Sequence, residues 1–417
     1  MVTTRSCLAS FMGRDKPRNH SRRGEGVEFD GSLVVLPGFL EASLEVAHPW
    51  IYRDHVPLGL ALDSGTWVRV RAGKTEAWAL WDSESPIALR VFSLGARPDG
   101  SWFRERIREA IALRRLALGP DTNAFRVLYG EGDGLPGITV DCYDRWAVIV
   151  TYAKALDGLV PMVAEVLAEE LLLSGVFWRR SNSEHKEPLQ LLLGAHPPEE
   201  LTILEYGLRY YADMLSGQKT GLFLDQRDNR RTVARYAAGG TMLNLFSYTG
   251  GFSVAAANAG ATCVTSVDIA APAMQRARDN FILNALEPKQ HEFVAEDCYD
   301  YLARAMAEHR TFDVVVCDPP SLARNRAQLP NALKAYTLLN ARALACVRPG
   351  GFFASASCTA QLSPEAFRGM LADAARRAGK RLQIINEVGH APDHPHFVAH
   401  PEGRYLKFIL GRVLERT

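Results

Sequence analysis

TMLNLFSYTGGFSVAAANAGATCVTSVDIA, residues 241–270, decides the fold class of this chain. An apolar strand meets a turn ending in Gly250-Gly251, a run of small helix-compatible residues follows, and a second apolar strand ends at Asp268. The unit then repeats. CVTSVDIA (263–270) leads to PAMQRARDNFILN (272–284), FDVVVCDPP (312–320) to KAYTLLNARALACV (334–347), and GGFFASASC (350–358) to SPEAFRGMLADAARRAG (363–379). Continuous apolar strands alternating with amphipathic helices predict an α/β, Rossmann-like domain around a parallel, doubly wound sheet. Its expected extent is residues 206–417.

Working outward, WVRVRA (67–72), AWALWD (77–82) and IALRVFSL (87–94) are short alternating or apolar runs separated by Gly, Pro and Asp. They predict a small all-β unit over 31–96. WFRERIREAIALRRLAL (102–118) is an amphipathic, arginine-rich helix whose basic face could meet phosphates or solvent. Turn–strand–turn–strand patterning over 129–152, a helix over 159–172 and a strand at 175–180 fill a central α+β unit over 97–205, and a hairpin turning at Tyr206-Gly207 straddles its end. Residues 1–30 read as a disordered basic leader.

A length of 417 residues with 47% hydrophobic and 23% charged content fits a multi-domain globular chain. The formal net charge of +1 leaves any nucleic-acid surface to a local patch. No apolar run approaches the roughly 18–20 residues needed to span a bilayer, and SCLASFMG (6–13) is too short for a signal peptide, so a cytoplasmic location is expected. Seven scattered cysteines without a C-x-x-C pair disfavour both a disulfide framework and a zinc site.

Four features fall at predicted strand ends, where such sheets bind ligands. Gly250 and Gly251 let backbone approach a ligand closely, but the turn lacks the G-x-G-x-x-G phosphate signature. Asp268 can accept both hydroxyls of a ribose, and Asp297 can accept from an adenine amino group. Asp318-Pro319-Pro320 forms the fourth. Singly these are also ordinary turns and helix caps. Together they predict a nucleoside-bearing cofactor, S-adenosylmethionine rather than NAD.

The stiff D-P-P turn also lets Asp318 face the planar edge of an unpaired or flipped base. Cys358 ends the next strand. A thiolate there could add to carbon 6 of a pyrimidine and make carbon 5 nucleophilic. Cys317 is the rival, although a position inside an apolar strand argues for packing. Cys263 and Cys346 are expected in the core, and Cys298 beside the cofactor. His390, His394, His396 and His400 crowd a proline-rich loop without metal-ligand spacing, so no metal is expected.

GQKTGLFLDQRDNR (217–230), NLFSYTGGFSV (244–254), DPPS (318–321), SCT (357–359) and DHPHFVAHPEGRYLKF (393–408) resemble the large-subunit ribosomal RNA cytosine-C5 methyltransferase family. HPWIY (48–52) and GEGDGLPGITVD (130–141) resemble the entry to that family's N-terminal PUA domain and its central-domain hairpin. The resemblance implies a class I methyltransferase fold, S-adenosylmethionine as cofactor and large-subunit ribosomal RNA as partner, with no membrane. A homodimer is left open. It implies Cys358 as nucleophile and Asp318 at the N3/N4 edge of the base. It implies a cofactor site of Gln226, Arg227, Asn244, Phe246, Tyr248, Gly250, Gly251, Phe252, Asp268, Ile269, Asp297, Cys298 and Asp318, with Arg227 meeting the cofactor carboxylate. Pro319, Pro320, Lys219 and Arg404 would contact the RNA. Ser321 and Leu322 depart from the basic or polar residue and the aromatic that usually follow D-P-P. Methylation of uracil C5 or of a purine nitrogen, and a non-catalytic assembly factor, are the competing readings.

Overall fold

The structure, a computed structural model, describes residues 33–181, 188–215, 222–323 and 325–416. The leader and Lys219 lie outside the described residues. Period-two alternation builds the first sheet: Val68, Val70 and Ala72 are buried, while Arg69 and Arg71 point outward. Strands β1 (Leu33–Val35), β2 (Trp50–Tyr52), β3 (Trp67–Ala72), β4 (Thr75–Trp81) and β5 (Ile87–Ser93) pair in the order β1-β3-β4-β5-β2, and the short helix α1 (Glu41–Glu45) packs on β3 and β4.

Helix α2 (Gly100–Ala117) begins where the Asp99 carboxylate accepts from the Trp102 N–H at 2.9 Å. It lies beside α3 (Val160–Leu171) on a second sheet of β6 (Ala124–Tyr129), β7 (Ile138–Tyr143), β8 (Trp146–Thr151), β9 (Gly175–Arg180) and β10 (Gln190–Gly194), ordered β10-β9-β8-β7-β6. The basic face of α2 is already countered. Arg104 donates to Glu169 at 2.6 Å and Arg108 to Glu170 at 2.7 Å, both on α3. Arg114 turns inward to Asp133 at 2.5 and 2.7 Å. Strands β11 (Thr202–Glu205) and β12 (Leu208–Tyr211) form the predicted hairpin, with Tyr206 (φ 50°) and Gly207 (φ 78°) both left-handed at its tip.

The third sheet holds β13 (Thr241–Leu245), β14 (Cys263–Asp268), β15 (Glu292–Ala295), β16 (Phe312–Cys317), β17 (Val347–Ser357), β18 (Lys380–Val388) and β19 (Lys407–Glu415), ordered β15-β14-β13-β16-β17-β19-β18. Helices α4 (Arg227–Ala237), α5 (Gly251–Asn258) and α6 (Ala271–Leu283) cover one face, and α7 (Cys298–Ala307), α8 (Leu329–Ala345) and α9 (Pro364–Arg377) the other. Successive strand residues therefore alternate between two cores. Val314 and Val316 pack toward the α4–α6 layer, Val315 and Cys317 toward the α7–α9 layer. Burying each valine contributes roughly 1.5–3 kcal/mol. The departure from an all-parallel sheet is β19, which runs antiparallel between β17 and β18. No helix among the described residues is long and apolar enough to cross a membrane.

The segment 389–406, between β18 and β19, ties the sheets together. Asp393 meets Arg227 of α4, its Oδ2 accepts from the Arg126 N–H of β6 at 2.9 Å, and its carbonyl accepts from Arg114 of α2 at 2.8 Å. Tyr129 donates to the Gly403 carbonyl at 2.7 Å.

Candidate active site at the strand ends of the third sheet

The turn after β13 is wound unusually tightly. Phe246 (φ 55°), Tyr248 (φ 48°) and Gly250 (φ 79°) all take left-handed backbone, a cost concentrated beside one cavity. A side chain at Gly250 would meet the Ala277 Cβ at 2.9 Å, so glycine is required both by φ and by the approach of α6. The next strand end completes the turn: Asp268 Oδ2 accepts from the Tyr248 N–H at 2.9 Å and Oδ1 from the Ala270 N–H at 3.0 Å.

Phe246, Tyr248, Gly251, Phe252, Asp268 and Ile269 line this cavity, and so do Gln226, Asp318, Pro319, Pro320 and Cys358. Residues from the ends of β13, β14, β16 and β17 thus meet in one space. Ile269 is 72% exposed, an apolar plate at the rim. Gln226 donates from Nε2 to Asp318 Oδ2 at 2.9 Å, and is itself held by Asn229 at 2.6 Å. Ser321 and Thr359 share a 3.0 Å hydrogen bond, and Thr359 a 2.7 Å one with the Tyr336 hydroxyl. The D-P-P turn and the Cys358 segment are therefore fastened to each other. Ser321, where the family pattern differs, is one of the fasteners.

Other predicted residues sit behind the cavity wall. Asn244 donates to Ser253 Oγ at 2.9 Å beneath the turn. Asp297 accepts from the Tyr299 N–H at 2.7 Å, capping α7. Cys298 is buried, and its sulfur accepts from the Phe246 N–H at 3.2 Å. Arg227 does not reach the cavity: it is 0% exposed and paired with Asp393 through two 2.9 Å hydrogen bonds. Arg404 is exposed in the 389–406 segment. The sequence reading missed Phe223, Asp225, Arg230 and Leu406, which also line the cavity. Arg230 is paired with buried Glu205 and donates to the Phe223 carbonyl at 3.0 Å, which fixes Phe223 edge-on to Tyr248. Phe223 and Asp225 lay in the quoted 217–230 string, but nothing local there tells a cavity residue from a packed one.

Burial sorts the thiols. It pushes Cys317 well above its ordinary value, Cys142 and Cys298 up to about 12, and Cys346 up to about 11. Cys263, expected in the core, is only half-buried at the start of β14 because that strand end faces outward. The histidines serve as packing and hydrogen-bonding groups. His394 meets Asp393 at 3.0 Å, His390 meets the Gly403 carbonyl at 3.1 Å, and buried His400 lies edge-on to Trp50. Burial, with His394 and His396 nearby, lowers His390 to about 4.

Residues 180–409 match the family model of the S-adenosylmethionine-dependent methyltransferases. The ribosomal RNA large subunit methyltransferase I of Alteromonas mediterranea is 32% identical, over 92% of this chain and 99% of its own length. The chain belongs to this methyltransferase family. A ribosomal RNA large subunit methyltransferase of Deinococcus radiodurans is 36% identical over 88% of this chain and 94% of its own. Among solved structures, SMU.776 in complex with SAH superposes with a TM-score of 0.82 at 25% identity, over 91% of this chain and all of that one. Residues 34–94 match a PUA-like domain, on the first sheet. S-adenosylmethionine is the cofactor of this methyltransferase, and the cavity suits it. The Asp268 carboxylate at a strand end offers acceptors for vicinal hydroxyls, and Ile269 and Phe223 offer apolar surface for a flat ring.

Proposed function

We propose that this methyltransferase forms 5-methylcytosine in large-subunit ribosomal RNA through a covalent adduct with Cys358. The observation that carries this reading is the convergence of Cys358, the Asp318–Pro320 turn and Asp268 on one cavity. A thiol is superfluous for methylating oxygen or an exocyclic nitrogen, but carbon 5 of a pyrimidine needs one. The names of the Alteromonas and Deinococcus relatives supply the RNA.

In this reading Asp268 holds the ribose hydroxyls, while Phe223 and Ile269 flank the adenine. Asp297, Cys298, Asn244 and Gly250 set the shape of the wall from behind, and Arg227 holds the start of α4. Gln226 orients Asp318, which meets the N3/N4 edge of a flipped cytosine, with Pro319 and Pro320 beside it and Arg404 near the RNA backbone. The bound sulfonium supplies an electrophilic methyl group for carbon 5. The Cys358 thiolate adds to carbon 6, and the electron pair of the C5–C6 double bond moves toward carbon 5. After methylation the carbon-5 proton leaves, the C5–C6 double bond re-forms and the thiolate is expelled.

RNA containing 5-fluorocytidine tests this. Fluorine cannot leave as a proton does, so protein, cofactor and RNA should accumulate a covalent complex stable to denaturation. Absence of the complex, or its persistence in Cys358→Ala, overturns the cytosine mechanism. Formation with 5-fluorouridine instead transfers the chemistry to uracil.

The cofactor half is tested separately. Asp268→Asn keeps a side-chain acceptor for the Tyr248 N–H, but it turns an amide N–H toward the Ala270 N–H and loses the charge facing the ribose. Its S-adenosylmethionine Kd in calorimetry should rise about tenfold to hundredfold. An unchanged Kd removes Asp268 from that role.

A further inference from the structure

Lys407, the first residue of β19, is 3% exposed. It sits opposite Ser357 in the β17–β19 register, one residue from Cys358, and follows cavity-lining Leu406. Its Nζ donates to the Thr359 and Tyr405 carbonyls, each at 2.6 Å. Among the described residues no carboxylate lies within ion-pair distance of it. A buried ammonium with only carbonyl partners is costly unless a counter-charge lies close. The groups that act on it electrostatically are Cys358, which favours the charged form, and Arg404, which opposes it. Burial is the larger influence and lowers Lys407 to about 8. The missing counter-charge and the reactive thiol are therefore neighbours.

We propose that Lys407 is the positioning residue that keeps Cys358 as a thiolate, ready to add to carbon 6. This rests on the covalent reading above. The Cys358 S–H bond breaks, its proton leaves to solvent, and the electron pair stays on sulfur beside the ammonium. Nothing is oxidised or reduced, and expulsion at the end of turnover restores the same pair. The carbonyl contacts fix the ammonium beside Thr359, the residue that follows Cys358, which keeps its charge near the sulfur.

The test needs no RNA. Full-length protein is alkylated with iodoacetamide from acid to alkaline pH, and labelling of Cys358 is read peptide by peptide, with half-buried Cys263 as internal control. Wild-type Cys358 should label with a midpoint below the ordinary cysteine value of about 8.5. Lys407→Met should raise that midpoint by about one unit or more, roughly tenfold slower labelling at neutral pH, while Cys263 is unchanged. Lys407→Arg should restore the low midpoint. A purely structural role predicts the same Cys358 profile in Lys407→Met with S-adenosylmethionine binding intact, and that result overturns the proposal. If Lys407→Met does not fold, the wild-type profile decides, because a midpoint at or above the ordinary value overturns it equally. A low midpoint without a 5-fluorocytidine adduct sinks the covalent reading and leaves the ion pair; an adduct with an ordinary midpoint does the reverse.

Discussion

Cys358→Ala should lower methyl incorporation into large-subunit ribosomal RNA by roughly a thousandfold or more while S-adenosylmethionine still binds. The size of the effect follows from the chemistry. Carbon 5 of an intact cytosine ring has little nucleophilic character, and only addition at carbon 6 supplies it. Among the described residues no second thiol lines the cavity. Cys317 packs into the opposite core layer with its thiol pushed far up, and Cys298 is buried behind the Phe246 turn. Cys358→Ser should fare little better, since a serine hydroxyl is scarcely ionised at neutral pH. The checking measurement is incorporation of labelled methyl into rRNA from cells lacking the protein, beside calorimetric cofactor binding. Substantial incorporation by Cys358→Ala would move the target from carbon 5 to a nitrogen.

The largest stability effect is expected at Asp393. Asp393→Ala leaves the Arg227 guanidinium fully buried without its carboxylate, which costs about 3–5 kcal/mol. It also withdraws the acceptor for the Arg126 N–H. Denaturant unfolding measures the loss, and a change below about 1 kcal/mol would show that water or Asp228 replaces the pair. Acid tests the same contact without mutation. Burial alone would raise the Asp393 carboxyl, but His394 and Arg227 hold it far below the ordinary carboxylate range. Its contribution is therefore complete above about pH 4, the unfolded value, and is lost as pH falls toward the much lower folded one. Wild type should lose more stability than Asp393→Asn over that acid window.

How legible these features were depended on how local their causes are. Strands β13, β14 and β16 announce themselves because both faces are buried, so apolar residues run unbroken. The hairpin tip at Tyr206-Gly207 was readable from turn chemistry alone. Strand β6 escaped notice because Arg126 interrupts its apolar pattern, and its partner, Asp141, becomes adjacent only in the folded sheet. The reversed direction of β19 leaves no trace in periodicity, since FILGRVL reads alike either way. The family resemblance of the 217–230 string implied that Arg227 is a cofactor ligand. Its true partner lies 166 positions on. Lys407 was passed over for the same reason: nothing in YLKF says that a lysine will be buried beside a cysteine.

The hydrogen bond from Tyr129 to Gly403, with its neighbours at Arg114 and Arg126, bears on how such chains can diverge. Two five-stranded sheets followed by a seven-stranded one suggest modules that recombination could shuffle, an old catalytic sheet acquiring a new RNA reader. The 389–406 segment forbids the simple version. A foreign central unit would have to bring a helix arginine for the Asp393 carbonyl, a strand N–H for its carboxylate and a hydroxyl for Gly403. Lineages built on this plan should therefore vary within each sheet while inheriting the central and catalytic units as a linked pair.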